Sequence, residues 1–196
     1  MSLTRGRWQL IAIAALFLLP TLAAMVMVFT DWRPGTFTNK GDLVQPPVQL
    51  DPQAWEQRLA EPDPLAGDWL LVLPRADACG SACRERLDTI TRIRVALDRD
   101  IDRVRLIVLE PLSGAVDAAS LPAGIELMAA SAAQLDTLLR HDGAAMAAHI
   151  VDYRGFHVMR YAEPLDAEGL LDDLEKLLRL AKEEAERRAL EEAISE

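Results

Sequence analysis

The stretch from Trp8 to Phe29 carries no charged residue over 22 positions, and no other feature restricts the fold of this chain so strongly. About 20 apolar residues suffice to cross a hydrocarbon core as a helix, so the run is read as a transmembrane anchor over residues 8–30. Pro20 lies inside it, a break that membrane helices accommodate because neighbouring groups re-satisfy the freed backbone. A cleaved signal peptide is the rival reading, with an apolar region of roughly 7–15 residues ending at a small-residue cleavage site. The end of this run, Met25-Val-Met-Val-Phe-Thr-Asp-Trp32, offers no such site. An uncleaved anchor is therefore expected.

Arg5 and Arg7 are the only charges before the run. The positive-inside rule keeps residues 1–7 in the cytoplasm, although Arg33 and Lys40 on the far side work against it. The expected arrangement is a single-pass protein of the inner membrane with its C-terminal body facing the periplasm. That compartment is oxidising, and a disulfide persists there.

The chain has 196 residues, enough for one anchor and one domain with a real core. Its formal charge is -10, and all 31 acidic residues lie at or after Asp31. Taking Arg5 and Arg7 from the 21 basic residues leaves 19 against 31, a net of -12 beyond the run. Such a body repels phosphate backbones, so no nucleic-acid partner is expected.

Residues 31–66 read as a juxtamembrane segment rich in proline, with Pro34, Pro46, Pro47, Pro52, Pro62 and Pro64. The density predicts extended, loop-rich chain with room for one short helix around Gln53 to Ala60. From Trp69 the pattern alternates. Trp69-Leu-Leu-Val-Leu73 and Val104 to Leu109 are short apolar runs suited to buried strands. Between them Cys83, Leu87, Ile90, Ile93 and Leu97 recur on one helical face. Ile125 to Ala130 fits a shorter strand or a connection, and Ser131 is placed to cap a helix carrying Leu135 and Leu138. Ala148 to Asp152 and Phe156 to Tyr161 flank a turn at Tyr153-Arg-Gly155, the pattern of a hairpin.

A long amphipathic helix runs from about Leu165 through Leu170, Leu174 and Leu178, and residues 182–196 form a charged tail with Glu183/Arg187 and Glu184/Arg188 spaced for ion pairs. Asp172 and Asp173 fall on its polar side by this pattern and are assigned to solvation. The order over residues 67–181 is that of an α/β, thioredoxin-like domain, a central sheet flanked by helices.

Both cysteines, Cys79 and Cys83, fall where the first strand ends and the first helix begins. Unsatisfied N–H groups and the dipole at a helix start favour thiolate over thiol. Residues four apart on a helix lie ~6 Å apart, within the ~4.4–6.8 Å over which a disulfide closes. The same sulfurs could clamp a soft ion such as Cu(I). Cys83 lies on the apolar stripe, so Cys79 is assigned as the attacking thiol and Cys83 as the resolving one. A local disulfide that merely staples the loop stays open as an alternative.

Cys79-Gly-Ser-Ala-Cys83 after the strand beginning Gly67-Asp-Trp69 resembles the CxxxC motif of Sco-type copper chaperones, which help assemble cytochrome c oxidase. Asn39-Lys-Gly-Asp-Leu-Val-Gln-Pro-Pro47 is similar to an N-x-G-x-L-x-x-P-P segment of Sco-like bacterial membrane proteins. Ile150-Val-Asp-Tyr-Arg-Gly155 is similar to the family's L-V-D-P-x-G turn, with Tyr153 in place of proline.

The resemblance implies copper bound by two cysteines and a histidine, or disulfide exchange with a cytochrome c oxidase subunit or assembly factor. The family's ligand histidine would fall near Ala144, and His141 is the nearest upstream. His141 is therefore the third metal candidate beside Cys79 and Cys83, with helix capping as its other role. His149 and His157, in strands, read as hydrogen-bonded sheet residues, and Met146 as core filler. No proline lies between Pro122 and Pro164, so the cis-proline that faces the cysteines in thioredoxins is not expected. A phosphate loop, H-E-x-x-H and a nucleophile elbow are all missing from the sequence.

Overall fold

The structure is a computed structural model that describes residues 5–30, 38–58, 64–65, 67–75, 80–114, 121–140 and 146–195. It divides into two units, Met1–Thr38 and Asn39–Glu196.

The first unit contains α1 (Arg5–Thr30), 26 residues with Pro20 inside. Described apolar side chains such as Leu16, Phe17, Leu19 and Phe29 are exposed along it. Among the described residues no helix is long and apolar enough to cross a membrane. The sequence of the same stretch carries no charge between Trp8 and Phe29, and several of its side chains fall outside the described set.

The second unit is a seven-stranded mixed sheet with helices on its faces. Its strands are β1 (Asp42–Gln49), β2 (Glu56–Gln57), β3 (Trp69–Pro74), β4 (Val104–Pro111), β5 (Ile125–Ala130), β6 (Met146–Val151) and β7 (Phe156–Ala162). Their order is β1-β7-β6-β3-β4-β5-β2. β3, β4 and β5 are parallel, and β3 is antiparallel to β6. The near-continuous apolar runs of β3 and β4 follow from burial on both faces, and Leu71, Val72, Val104 and Ile107 are inaccessible.

Side-chain alternation sends two rows to two cores. Trp69, Leu71, Leu73, Leu106 and Val108 pack with Leu87, Ile90 and Ile93 of α2 (Ser81–Ala96) and with Leu170, Leu174 and Leu178 of α4 (Ala167–Ser195). Leu70, Val72, Ile107 and Leu109 pack on the other face with Leu138 of α3 (Ala132–Leu139). Ser131 caps α3 as its sequence indicates, accepting from the Gln134 N–H while the Gln134 side chain accepts from the Ser131 N–H.

Ile125–Ala130 is a full strand. The expected hairpin forms, with Ile150 opposite Met159. Its turn is built by Asp152, whose carboxylate accepts from the N–H groups of Arg154 and Phe156 at 2.9 Å each. Gly155 sits at φ 86, a conformation that glycine adopts at no steric cost.

The Pro-rich segment departs from its reading as loop. β1 pairs antiparallel with β7 and β2 with β5, so this segment supplies both outer strands. Pro46 and Pro47 fall within the register shift between Leu43 and Val48, where the ladder asks for no N–H donor. The expected short helix reduces to one 3-10 turn, Pro52–Ala54.

The segment's start is fastened by Asp173. The Asp173 carboxylate accepts from the Lys40 N–H at 2.7 Å, the Gly41 N–H at 3.0 Å and the Tyr161 hydroxyl at 2.5 Å. Asp173 is 3% exposed, so its assignment to a solvated helix face is corrected here; Asp172 beside it is exposed. Burial first, then the hydrogen bond to Asp173, pushes the Tyr161 hydroxyl far above its ordinary pKa.

Candidate functional site

β3 ends at Pro74 and α2 begins at Ser81 behind Gly80. Gly80 is an extended N-cap without a side-chain cap, and its carbonyl accepts from the Arg84 N–H at 3.1 Å. Cys83 is the third residue of the helix, half-buried and packed against the core shared by α2 and α4. It is disulfide-bonded, and the sequence holds one other cysteine, Cys79. Cys79 and His141 lie outside the described residues. α2 begins at Ser81, two residues beyond Cys79 in the sequence and later than the cysteine spacing predicts.

The first two turns of α2 line a groove of about 270 Å³ with Glu163, Pro164 and Leu165, the segment between β7 and α4. Arg86 pairs with Glu163 across it, and burial lowers the pKa of the Arg86 guanidinium. The Glu163–Pro164 bond is cis. A cis-proline thus does stand beside the helix that carries Cys83, following the hairpin rather than preceding it.

His149 and His157 are buried, with His149 Nδ1 3.1 Å from His157 Nε2. Burial first, then the charges of His157 and Arg160, lowers the His149 pKa to about 3, so it is neutral at physiological pH. On β6, Ala148 and Ile150 face the α2 side, while Val151 faces the α3 side with Val72. His149 therefore lies on the α3 face, and the sheet stands between it and Cys83. This removes His149 from reach of the sulfur, in line with its reading as a sheet residue. The Met146 backbone pairs with Ala162. Among the described residues no group of three or more His, Cys, Asp or Glu is gathered for a metal.

Sequence reasoning missed a second feature at this end of the sheet. Arg75 Nη2 and Glu110 Oε2 are 2.9 Å apart, with side chains 9% and 3% exposed. The available signal was a charged residue ending each of two buried strands.

Fold and site together define a thioredoxin-like protein with a helix-start cysteine, behind an N-terminal helix. The chain belongs to the family described as "Transmembrane-like, thioredoxin-like, C-terminal domain", whose model matches residues 69–181, and a companion model, "Transmembrane-like, N-terminal domain", matches residues 4–31.

Among solved structures, the apo Sco1 protein of Thermus thermophilus is similar at 15% identity and TM-score 0.53, over 73% of this chain and 99% of that one. At that identity the likeness establishes the thioredoxin-like fold. Copper-bound ScoI of Bradyrhizobium japonicum (18% identity, TM-score 0.42, 57% and 86% covered) and of Arabidopsis thaliana (13%, 0.47, 59% and 87%) are further matches. A search of curated proteins found no match.

Proposed function

We propose that this is a membrane-anchored protein whose periplasmic thioredoxin-like domain performs dithiol chemistry at Cys79 and Cys83, exchanging disulfides with a cytochrome c oxidase subunit or assembly factor. The observation that carries the reading is the disulfide-bonded Cys83 in the first turn of α2, at the carboxyl ends of the parallel strands. Ligands of open α/β sheets gather at this end, and the helix start favours the thiolate that exchange requires. In the reduced protein, the Cys79 thiolate attacks a partner disulfide and expels one partner thiolate, leaving a mixed disulfide. Cys83 then loses its proton and attacks the Cys79 sulfur. The second partner thiolate leaves, and the Cys79–Cys83 disulfide forms. Two electrons pass to the partner, and its two thiolates take up protons. The uncharged run and the exposed apolar side chains of α1 support the anchor.

A second reading, delivery of Cu(I) as cargo, rests on the softness of two adjacent thiolates and on the Sco-like CxxxC motif. His141 would complete the ligand set.

Replacing Cys79 by Ser in the full chain tests the proposal. Loss of assembled oxidase with a folded domain is the expected result. Normal assembly overturns the proposal and leaves a binding partner with a structural disulfide. For the copper reading, the reduced chain is titrated with Cu(I) against a competing chelator. One bound ion per chain, lost in both Cys79→Ser and Cys83→Ser, supports cargo delivery, and no retained ion excludes it.

A further inference from the structure

We propose that a groove at the end of the sheet opposite Cys83 binds an aliphatic ammonium group, the chemistry of a lysine side chain or of a free diamine. The groove, about 260 Å³, opens where β3 and β4 begin, between the hairpin turn and α4. β3 runs from it toward Pro74, beyond which α2 and Cys83 follow. The site is therefore separate from the dithiol and does not depend on the chemistry there. Trp69 and Tyr153 give it two aromatic rings with centroids 6.1 Å apart. Trp69 is nearly buried, so Tyr153 presents most of the aromatic surface. Ala181 and Ala185, one turn apart on α4, supply an apolar wall. Apolar walls with a few placed charges are the usual construction of a small-ligand site.

The charges decide the sign of the ligand. Arg103 and Arg188 line the groove, yet each is already neutralised: Arg103 Nη1 is 2.7 Å from Asp100 Oδ1, and Arg188 pairs with Glu184. An anion would have to displace those carboxylates. The groove's own carboxylates are freer. Arg105 gives its fork to Glu126 at 2.6 and 2.7 Å and reaches Asp68 only at 3.5 Å. The Asp102 side chain is exposed and makes no hydrogen bond or ion pair among the described residues. Asp68, Asp100, Asp102, Glu126 and Glu184 thus stand against Arg103, Arg105 and Arg188, five to three, a net of -2. Tyr153 already holds one cation, with Arg154 Cζ 5.4 Å from its ring centre, inside the ~6 Å over which a ring face attracts a cation. Asp152 matches Arg154 at 3.1 Å, so this contact leaves the balance unchanged. An ammonium on a flexible alkyl stem fits the combination, its stem against Ala181 and Ala185 and its head toward Asp68 and Asp102. The body beyond the apolar run, with 19 basic against 31 acidic residues, steers such a ligand inward.

The test titrates cadaverine into the full chain in nonionic micelles at low salt and follows binding by saturation-transfer NMR, with glutarate as the anionic counterpart of the same length. Saturable binding of cadaverine and none of glutarate is expected. Asp102→Asn is expected to weaken binding about fivefold. Arg188→Gln, which releases Glu184, is expected to tighten it about twofold. Asp172→Asn, an exposed carboxylate near the start of α4, is the control for diffuse attraction and is expected to leave it unchanged. Circular dichroism checks folding, and both Asp102 and Arg188 are exposed enough for their variants to fold. Binding of glutarate in place of cadaverine, an undiminished affinity in Asp102→Asn, or equal losses in Asp102→Asn and Asp172→Asn overturns the proposal. N-acetyl-lysine methylamide separates the two sources. Saturable binding lost in Asp102→Asn supports a lysine side chain of a protein partner as the ligand, and binding of cadaverine alone supports a free diamine. Binding of neither overturns the site.

Discussion

Asp173→Ala is the sharpest test of how the Pro-rich segment joins the domain. One carboxylate oxygen accepts from the Lys40 N–H, the Gly41 N–H and the Tyr161 hydroxyl at 2.5–3.0 Å, and the residue is 3% exposed. Removing it strands three donors. Each buried donor without a partner costs about 1–3 kcal/mol, with Lys40 near the low end because its amide is only partly buried. Relief of the carboxylate's own desolvation offsets part of this, leaving an expected loss of about 3–5 kcal/mol. Asp172→Ala, one residue away and exposed, is the control and is expected to change stability by less than about 0.5 kcal/mol. Urea unfolding of the full chain in micelles, followed by the fluorescence of the buried Trp55 and Trp69, measures both. Equal midpoints for the two variants would refute the fastening role of Asp173.

Gly41→Ala drives a Cβ to within 2.5 Å of the Tyr161 ring, whose hydroxyl is tied to Asp173, and is expected to cost about 1–3 kcal/mol in the same unfolding assay. Gly155→Ala, at φ 86 and with a Cβ 3.2 Å from the Leu50 carbonyl, is expected to lose about 1–2 kcal/mol, read as a lower melting temperature. The folded pKa of His149 is about 3, below its ordinary 6.5. The unfolded chain therefore binds the extra proton between these values, and the stability is full above 6.5 and lost as pH falls toward 3. The slope from this group reaches at most ~1.4 kcal/mol per pH unit, and His149→Gln is expected to flatten the acid limb of a stability-versus-pH curve.

Much of the domain is written in local pattern. β3 is an uninterrupted apolar run and β4 is apolar apart from Arg105 and Glu110, α2 repeats Leu87, Ile90 and Ile93 on one face, and Asp152 to Gly155 spells its own turn. What escaped is long-range. Pro46 and Pro47 speak against a strand, and only pairing with β7 across a register shift makes their position tolerable. Asp173 reads as solvated beside Asp172 because its three donors come from residues 12 to 133 positions away. At the candidate site, the packing of Cys83 against the core was legible, since it follows from the apolar stripe of α2, whereas the helix begins at Ser81, later than the cysteine spacing suggests. The cis-proline beside α2 was not, because Pro164 enters from the far end of β7 and no local rule brings it there. The neighbourhood of Glu110 and Arg75 likewise needs the parallel register of β3 and β4.

The two outer strands also impose a timetable on biosynthesis. Asp42 of β1 pairs with Arg160, and Glu56 of β2 with Ala129, separations of 118 and 73 residues. The ribosome therefore delivers both strands long before either has a neighbour. Loop closure over such spans is slow compared with local hairpins, so the nascent segment waits unpaired while the central strands and α2 emerge. The prolines that lack N–H donors suit it to that wait, because they discourage premature pairing with strands of other chains. The last strand made, β7, secures the first, and a chain halted before Phe156 lacks the strand with which β1 pairs.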